Sequence, residues 1–213
     1  IFNQDGSADS QCGNGARCVA ALVMDDLGKD EVTLETLAGP VSAKRADAGL
    51  VAVDMGPAKL DWQDIPLAME ENTAHLDLVV GNLSNPVAVS MGNPHVVFFV
   101  DDVDNVKLSQ LGPTVETHAL FPKHTNVEIV QVLDRSHVRM RVWERGVGIT
   151  QACGTGACAV GVAAARRELT DRAVTVTLDG GDLHILWRED GHVVMTGPVA
   201  ETFSGVLDRG LLT

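Results

Sequence analysis

Two cysteines of this 213-residue chain sit in the same local pattern, Cys12-Gly-Asn-Gly-Ala16 and Cys153-Gly-Thr-Gly-Ala157. Each pattern opens an Ala/Val-rich stretch that reads as a helix, so each thiol is expected at a helix mouth. Unpaired N–H groups and the positive end of the helix dipole gather there, and both lower a cysteine pKa toward thiolate at neutral pH. Glycine lets backbone N–H groups come close to an anion, which makes a substrate carboxylate the expected guest. A lone cysteine before a glycine turn reads as a small buried hydrophobe. Two of them facing one substrate can invert a carbon. One thiolate takes the proton from one face, the other thiol returns a proton to the opposite face, and N–H donors stabilise the carbanionic state between. No pyridoxal-lysine motif is evident, so the expected chemistry needs no organic cofactor.

Polar residues stand at matching places upstream of the two thiols. Asn3 and Glu144 each lie nine positions before their cysteine, at the end of a β-type run and ahead of a Gly-containing loop. Both are candidate substrate contacts, although Asn3 alone would read as a turn residue and Glu144-Arg145 alone as a surface pair. Cys18 and Cys158 do not correspond to each other and read as packing residues inside the helices. His95, after Asn93-Pro94, is a candidate base but reads first as a hydrogen-bonded turn residue. His118 and His124 lack helical ligand spacing, so no metal site is expected. Asp101, Asp102 and Asp104 read as a solvated acidic turn.

The elements that must carry these residues come from a duplication. An offset of 141 positions relates the two cysteines, and without a gap it also pairs Val19 with Val160, Thr36 with Thr177, Leu37 with Leu178 and Gly39 with Gly180. It still holds where Val53 meets Val194 and Gly56-Pro57 meets Gly197-Pro198. A period this long means two copies of one domain, not a solenoid. The copies predict helices over Gly13–Leu27 and Gly154–Leu169, the first stopped by Gly28. Strands are expected over Glu31–Leu37, Val41–Ala46 and Leu50–Met55, then over Ala173–Leu178, Leu183–Arg188 and His192–Met195. Between the copies, Val87–Met91, His95–Val100, Asn126–Leu133 and His137–Trp143 also read as strands, the last with Val138, Met140 and Val142 on one face. Asn105–Leu111 and Pro113–Ala119 read as two short helices. Both main helices are apolar nearly all round, which predicts that each is surrounded by sheet. The expected fold is therefore α+β, with two pseudo-symmetric lobes, each a curved antiparallel sheet or barrel around a central helix. The first lobe is expected to take residues 1–56 plus 199–213 and the second residues 57–198.

Composition narrows the partners. A formal net charge of −13 argues against nucleic acid, whose phosphates need clustered Lys and Arg. Aromatics at 4% with no Tyr leave no base-stacking platform. No apolar run reaches membrane-spanning length and no signal peptide is visible. Four cysteines without a C-x-x-C pair fit free thiols in a reducing cytoplasm. The expected partner is a small amino-acid substrate. The chain opens at Ile1 as if in mid-protein, so its start is expected to be missing.

The motifs resemble the diaminopimelate epimerase family. The matching segments are Phe2-Asn3-x-Asp5-Gly6-Ser7, the Cys12–Cys18 run, Met91-Gly-Asn-Pro-His95, Phe121-Pro122 with Asn126-Val127, Glu144-Arg145-Gly146 and the Gln151–Cys158 run. The resemblance implies cofactor-independent interconversion of LL- and meso-diaminopimelate, on the route to lysine and peptidoglycan precursors, by Cys12 and Cys153. It implies carboxylate-binding turns at Gly13, Asn14, Gly154 and Thr155, and contacts to the rest of the substrate at Asn3, Asn93, Asn126, Glu144 and Arg145. It also implies a homodimer. Two departures stand out: the family's N-terminal Gly-Asn-Asp-Phe stretch is absent, and Ile149 occupies a position where the family usually has Glu. Within the same class the rival is a proline or hydroxyproline racemase-type enzyme. Rivals of other classes are a thiol redox or metal-binding protein and a catalytically dead duplicate kept as an interaction partner.

Overall fold

The computed structural model describes residues 12–37, 39–206 and 210. Helix α1 (Gly13–Leu27) leads into strands β1 (Glu31–Thr36), β2 (Gly39–Arg45) and β3 (Val51–Pro57). A small hairpin of β4 (Val79–Val80) and β5 (Leu83–Ser84) precedes β6 (Val87–Ser90), β7 (Pro94–Phe99) and helix α2 (Leu108–Glu116). Next come β8 (Asn126–Asp134), β9 (His137–Glu144), β10 (Gly148–Thr150) and helix α3 (Gly154–Arg166). Strands β11 (Ala173–Leu178), β12 (Gly181–Trp187) and β13 (His192–Gly197) follow.

One 11-stranded sheet runs in the order β1-β2-β3-β13-β12-β11-β9-β8-β7-β6, with β10 beside β9. Its first six strands read as a palindrome of the repeat. The equivalent strands β3 and β13 pair with each other antiparallel, which is what a two-fold relation between copies produces. The all-antiparallel expectation does not hold, because β7 pairs β8 and β9 pairs β11 in parallel. Parallel neighbours need a long crossover, and α2 and α3 lie on those two connections. Strand β7 displays the consequence. Its Val97 packs into the core around α3, while Val96 and Phe98 join Leu108 and Val115 of α2 in a second core. Covered on both faces, it has no polar side to show.

Three local expectations need correcting. The pair of short helices is one helix, α2, which continues through Pro113. The N–H that proline lacks would have met the carbonyl of Ser109, which lies on the exposed side of the helix, so water can take its place. The second main helix ends at Arg166, with the Leu169 N–H closing back on the Ala164 carbonyl. Among the described residues helix α1 is not surrounded by sheet: only its Gly13, Arg17, Ala20 and Met24 are buried, and Leu22 is 63% exposed. Its C-terminus does follow expectation, since Gly28 adopts the left-handed conformation (φ 62°, ψ 37°) and its N–H reaches the Asp25 and Met24 carbonyls.

Candidate active site

Both Cys-Gly-x-Gly cysteines are helix N-caps of the same geometry. Cys12 is extended (φ −131°, ψ 103°) and Cys153 nearly identical (φ −123°, ψ 110°). Each sulfur accepts one first-turn N–H at 3.4 Å, from Gly15 to Cys12 and from Gly156 to Cys153. An oxygen-bearing cap would do the same for a helix; here the helix dipole is spent on a thiol. The two mouths abut. A Cβ placed on Gly13 would lie 2.6 Å from the Met195 Cε, and one on Gly154 would lie 3.1 Å from the Met195 Sδ and 3.3 Å from the Asn14 Oδ1. The missing side chains are what let α1 and α3 meet over one methionine.

The thiols differ in their surroundings. Cys12 is half-buried, whereas Cys153 is 6% exposed. Burial, with the Glu144 and Glu128 carboxyl groups adding to it, pushes the Cys153 thiol well above its ordinary value; the Thr155 hydroxyl and the Gly156 N–H oppose this. The sequence argument expected helix N-termini to lower the thiol pKa. For Cys153 desolvation outweighs them, because a thiolate with no water loses more than two hydrogen bonds return. Cys158 is buried as expected, and burial raises its thiol to about 12. Cys18, expected to pack, is exposed on α1, because the face of that helix it occupies meets no sheet among the described residues.

The polar residues named from the sequence fall into three groups. Thr155 and Asn93 belong to the Cys153 side: the Asn93 Nδ2 donates to the Thr155 Oγ1 at 3.3 Å, and that hydroxyl lies 3.5 Å from the Cys153 Sγ. Asn14, at the equivalent place in α1, has a buried Oδ1 with no hydrogen-bond partner among the described residues. Asn126 is buried and joins two loops, its Nδ2 donating to the Pro94 carbonyl at 3.0 Å and its Oδ1 accepting the Arg145 N–H at 2.9 Å. Glu144 ends β9 and accepts a hydrogen bond from the Thr150 hydroxyl. The Arg145 side chain is exposed, its Nη1 3.2 Å from the Lys123 carbonyl. Asn3 lies outside the described residues.

Three residues that the sequence argument passed over, Glu128, Glu116 and Arg17, hold this site together with His95, which it read first as a turn residue. His95 is fully buried at the start of β7 instead of sitting in a turn, with its Nδ1 2.6 Å from the Glu128 Oε1 and its Nε2 2.9 Å from the Asn93 Oδ1. Glu128 is itself fully buried, and burial raises its carboxyl, with His95 opposing. A charged residue set between Val127 and the Ile129-Val130 pair was the signal available for it. Glu116 accepts from the Trp143 indole at 2.6 Å and from the Gly146 N–H at 2.9 Å, tying the loop after Glu144 to α2. Arg17 is 7% exposed, with Nη1 3.4 Å from the Met195 Sδ; burial lowers its guanidinium, opposed by the nearby Cys18, Cys158 and Cys12 sulfurs.

A model of the diaminopimelate epimerase family matches residues 1–60 and 87–201. The diaminopimelate epimerase of Rhodospirillum centenum is 55% identical over 212 residues, covering 100% of this chain and 73% of that protein. The diaminopimelate epimerase of Caulobacter vibrioides is 53% identical over 214 residues, covering 97% of this chain and 74% of that one. Among solved structures, a hydroxyproline epimerase from Agrobacterium vitis shares the fold at a TM-score of 0.62 and 15% identity, over 92% of this chain and 65% of that chain. A PhzF-family phenazine biosynthesis protein from Bacillus anthracis does so at 0.59 and 16%, over 91% and 74%.

Proposed function

The chain belongs to the diaminopimelate epimerase family, and from that premise we propose that Cys12 and Cys153 are the acid–base pair of its isomerisation. The reaction interconverts LL- and meso-diaminopimelate. One observation carries the assignment of the thiols: the two cysteine-capped helix mouths meet over Met195, with the Asn14 Oδ1 against Gly154. A carboxylate held at that junction receives first-turn N–H groups from both helices and has a thiol to either side. In one direction the thiolate of one cysteine takes the α-proton, the electron pair delocalises into the carboxylate, and the thiol of the other returns a proton to the opposite face. In the reverse direction the roles exchange. No step calls for an organic cofactor.

The raised Cys153 thiol suits the proton-donating role in the resting enzyme. Gly13, Asn14, Gly154 and Thr155 form the carboxylate-binding turns in this reading, and Asn3, Asn93, Asn126, Glu144 and Arg145 receive the rest of the substrate. Glu144 suits an ammonium and Arg145 a second carboxylate. We extend the proposal to two lobes, residues 1–56 plus 199–213 and residues 57–198. The palindromic sheet supports it, as does a surface groove in which Val199–Phe203 lie beside Cys18, Leu22 and Arg45. No helix among the described residues is long and apolar enough to cross a membrane. A cytoplasmic homodimer completes the proposal, on the family resemblance.

The test is turnover of LL-diaminopimelate in heavy water. Solvent deuterium is expected at the inverted α-carbon, and Cys12→Ala or Cys153→Ala should stop inversion. A bell-shaped pH profile is expected, since one thiol must be ionised while its counterpart is protonated. Turnover of proline or hydroxyproline with none of diaminopimelate would overturn the reading. So would unchanged inversion in either alanine variant.

A further inference from the structure

A line of four hydrogen bonds runs from the interior of the protein to one of the two sulfurs. It starts at the Glu128 Oε1, 2.6 Å from the His95 Nδ1, and passes from the His95 Nε2 to the Asn93 Oδ1 at 2.9 Å. It continues from the Asn93 Nδ2 to the Thr155 Oγ1 at 3.3 Å and ends at the Cys153 Sγ, 3.5 Å from that hydroxyl. Glu128 and His95 are both fully buried, and the Glu128 Oε2 has no partner among the described residues. Nothing in the two-thiol reaction itself requires a carboxyl at that depth.

We infer that Glu128 is a positioning residue for Cys153: through His95, Asn93 and Thr155 it keeps a hydroxyl donor on that sulfur. The inference rests on the reading of Cys153 as one of the acid–base pair. Its direction follows from the proton count. With the Asn93 Nδ2 given to Thr155, its Oδ1 faces the His95 Nε2, which must then carry hydrogen. The Nδ1–Glu128 contact needs a proton of its own, held either by the carboxyl or by the imidazole. Both placements keep the buried pair neutral overall. The remaining arrangement, a neutral imidazole beside a bare carboxylate, would leave an uncompensated charge in a dry site, and burial works against it. Polarity is thereby handed outward. Asn93 donates to Thr155, and the hydroxyl proton of Thr155 is left pointing at sulfur. Thr155 is in the first turn of α3, so no helical carbonyl competes for that proton.

Cys12 has no such line among the described residues. At the position equivalent to Thr155 stands Asn14, whose buried Oδ1 is unpartnered there. Among the described residues the two thiols of a duplicated site are thus held differently, one by a buried relay and one by the first turn of its helix.

Alkylation by iodoacetamide at fixed pH, read separately on the Cys12 and Cys153 peptides by mass spectrometry, tests this in the full chain without substrate. Because turnover is not measured, failure of the epimerase reading and failure of this inference are distinguishable. Glu128→Leu is expected to slow modification of Cys153 about fivefold relative to Cys12, the effect of one lost hydrogen bond. Glu128→Gln keeps a donor for the His95 Nδ1 and should stay within about twofold of wild type. Thr155→Val should reproduce the slowing and Thr155→Ser reverse it. Adding Glu128→Leu to Thr155→Val should slow Cys153 little further, because both cut one chain. If Glu128→Leu does not fold, His95→Phe cuts the chain one link on, with the same expected slowing and the same non-additivity. Equal changes at both cysteines, a Gln variant as slow as the Leu variant, or full additivity in the double variant would overturn the inference.

Discussion

Helices α1 and α3 are two copies of one design that the fold has treated differently. Both begin with an extended cysteine cap whose sulfur takes the N–H three residues on. Past the first turn they diverge. Eleven residues of α3 are buried against four of α1, and the difference decides what each residue type means. Val160 is wholly buried, while its counterpart Val19 is 46% exposed. Gly161 leaves no room, since a Cβ there would lie 2.7 Å from the Ile185 Cγ2, whereas its counterpart is Ala20. The lesson reaches the chemistry: the same cap motif yields a strongly desolvated thiol in one copy and a half-buried one in the other.

The largest expected effect asks whether the two mouths are complementary halves of one site. Cys12→Ser and Cys153→Ser should each lower epimerisation by about 10²–10⁴-fold, the range for loss of a positioned acid or base. Steady-state rates measure it, and near-wild-type turnover in one variant would show that the mouths do not share a substrate.

A second difference between the copies appears in alkali. Unfolded, Cys158 loses its proton near its ordinary value of 9.0; folded, it keeps it to about 12. Over that window the folded state binds more protons than the unfolded state, so stability falls as pH rises, by about 1.4 kcal/mol per pH unit for this thiol. Below the window the term is constant. Urea midpoints from pH 8 to 11 should fall in wild type and fall less in Cys158→Ala. The same steepness in both would place the titration elsewhere.

Core packing gives a smaller and cleaner contrast. Val160→Ala should cost about 2 kcal/mol, since two buried methyl groups leave a cavity. Its counterpart Val19→Ala should stay within about 0.5 kcal/mol, as surface changes do. Denaturant titration of the pair checks this, and equal costs would mean that α1 is covered as fully as α3. The mildest probe is reagent access. Cys12 should alkylate about tenfold faster than Cys153 at pH 8, because Cys153 is the more deeply buried and burial pushes its thiol up. Parity would erase the asymmetry.

Periodicity and composition reached far into this fold for local reasons. The bounds of α1, its cysteine cap and its Gly28 stop are legible because caps act within one turn. The alternation of Val138, Met140 and Val142 marks the buried face of β9, as the structure has it. The proline at 113 misled, because its effect depends on whether the freed carbonyl can reach water. Cys18 misled for a related reason, since apolar composition does not say which face of a helix meets sheet.

By itself, then, the sequence determined the duplication, the two thiols at helix mouths and most strand positions, all of them set by short-range spacing or by comparison of one half with the other. Only the tertiary structure decided that β7–β8 and β9–β11 run parallel, that α1 buries far fewer of its described residues than α3, and that Glu128 stands behind Cys153. Those outcomes join residues far apart in the chain, where burial depends on what lies across the sheet and a charge is cheap or costly according to neighbours that no local pattern names.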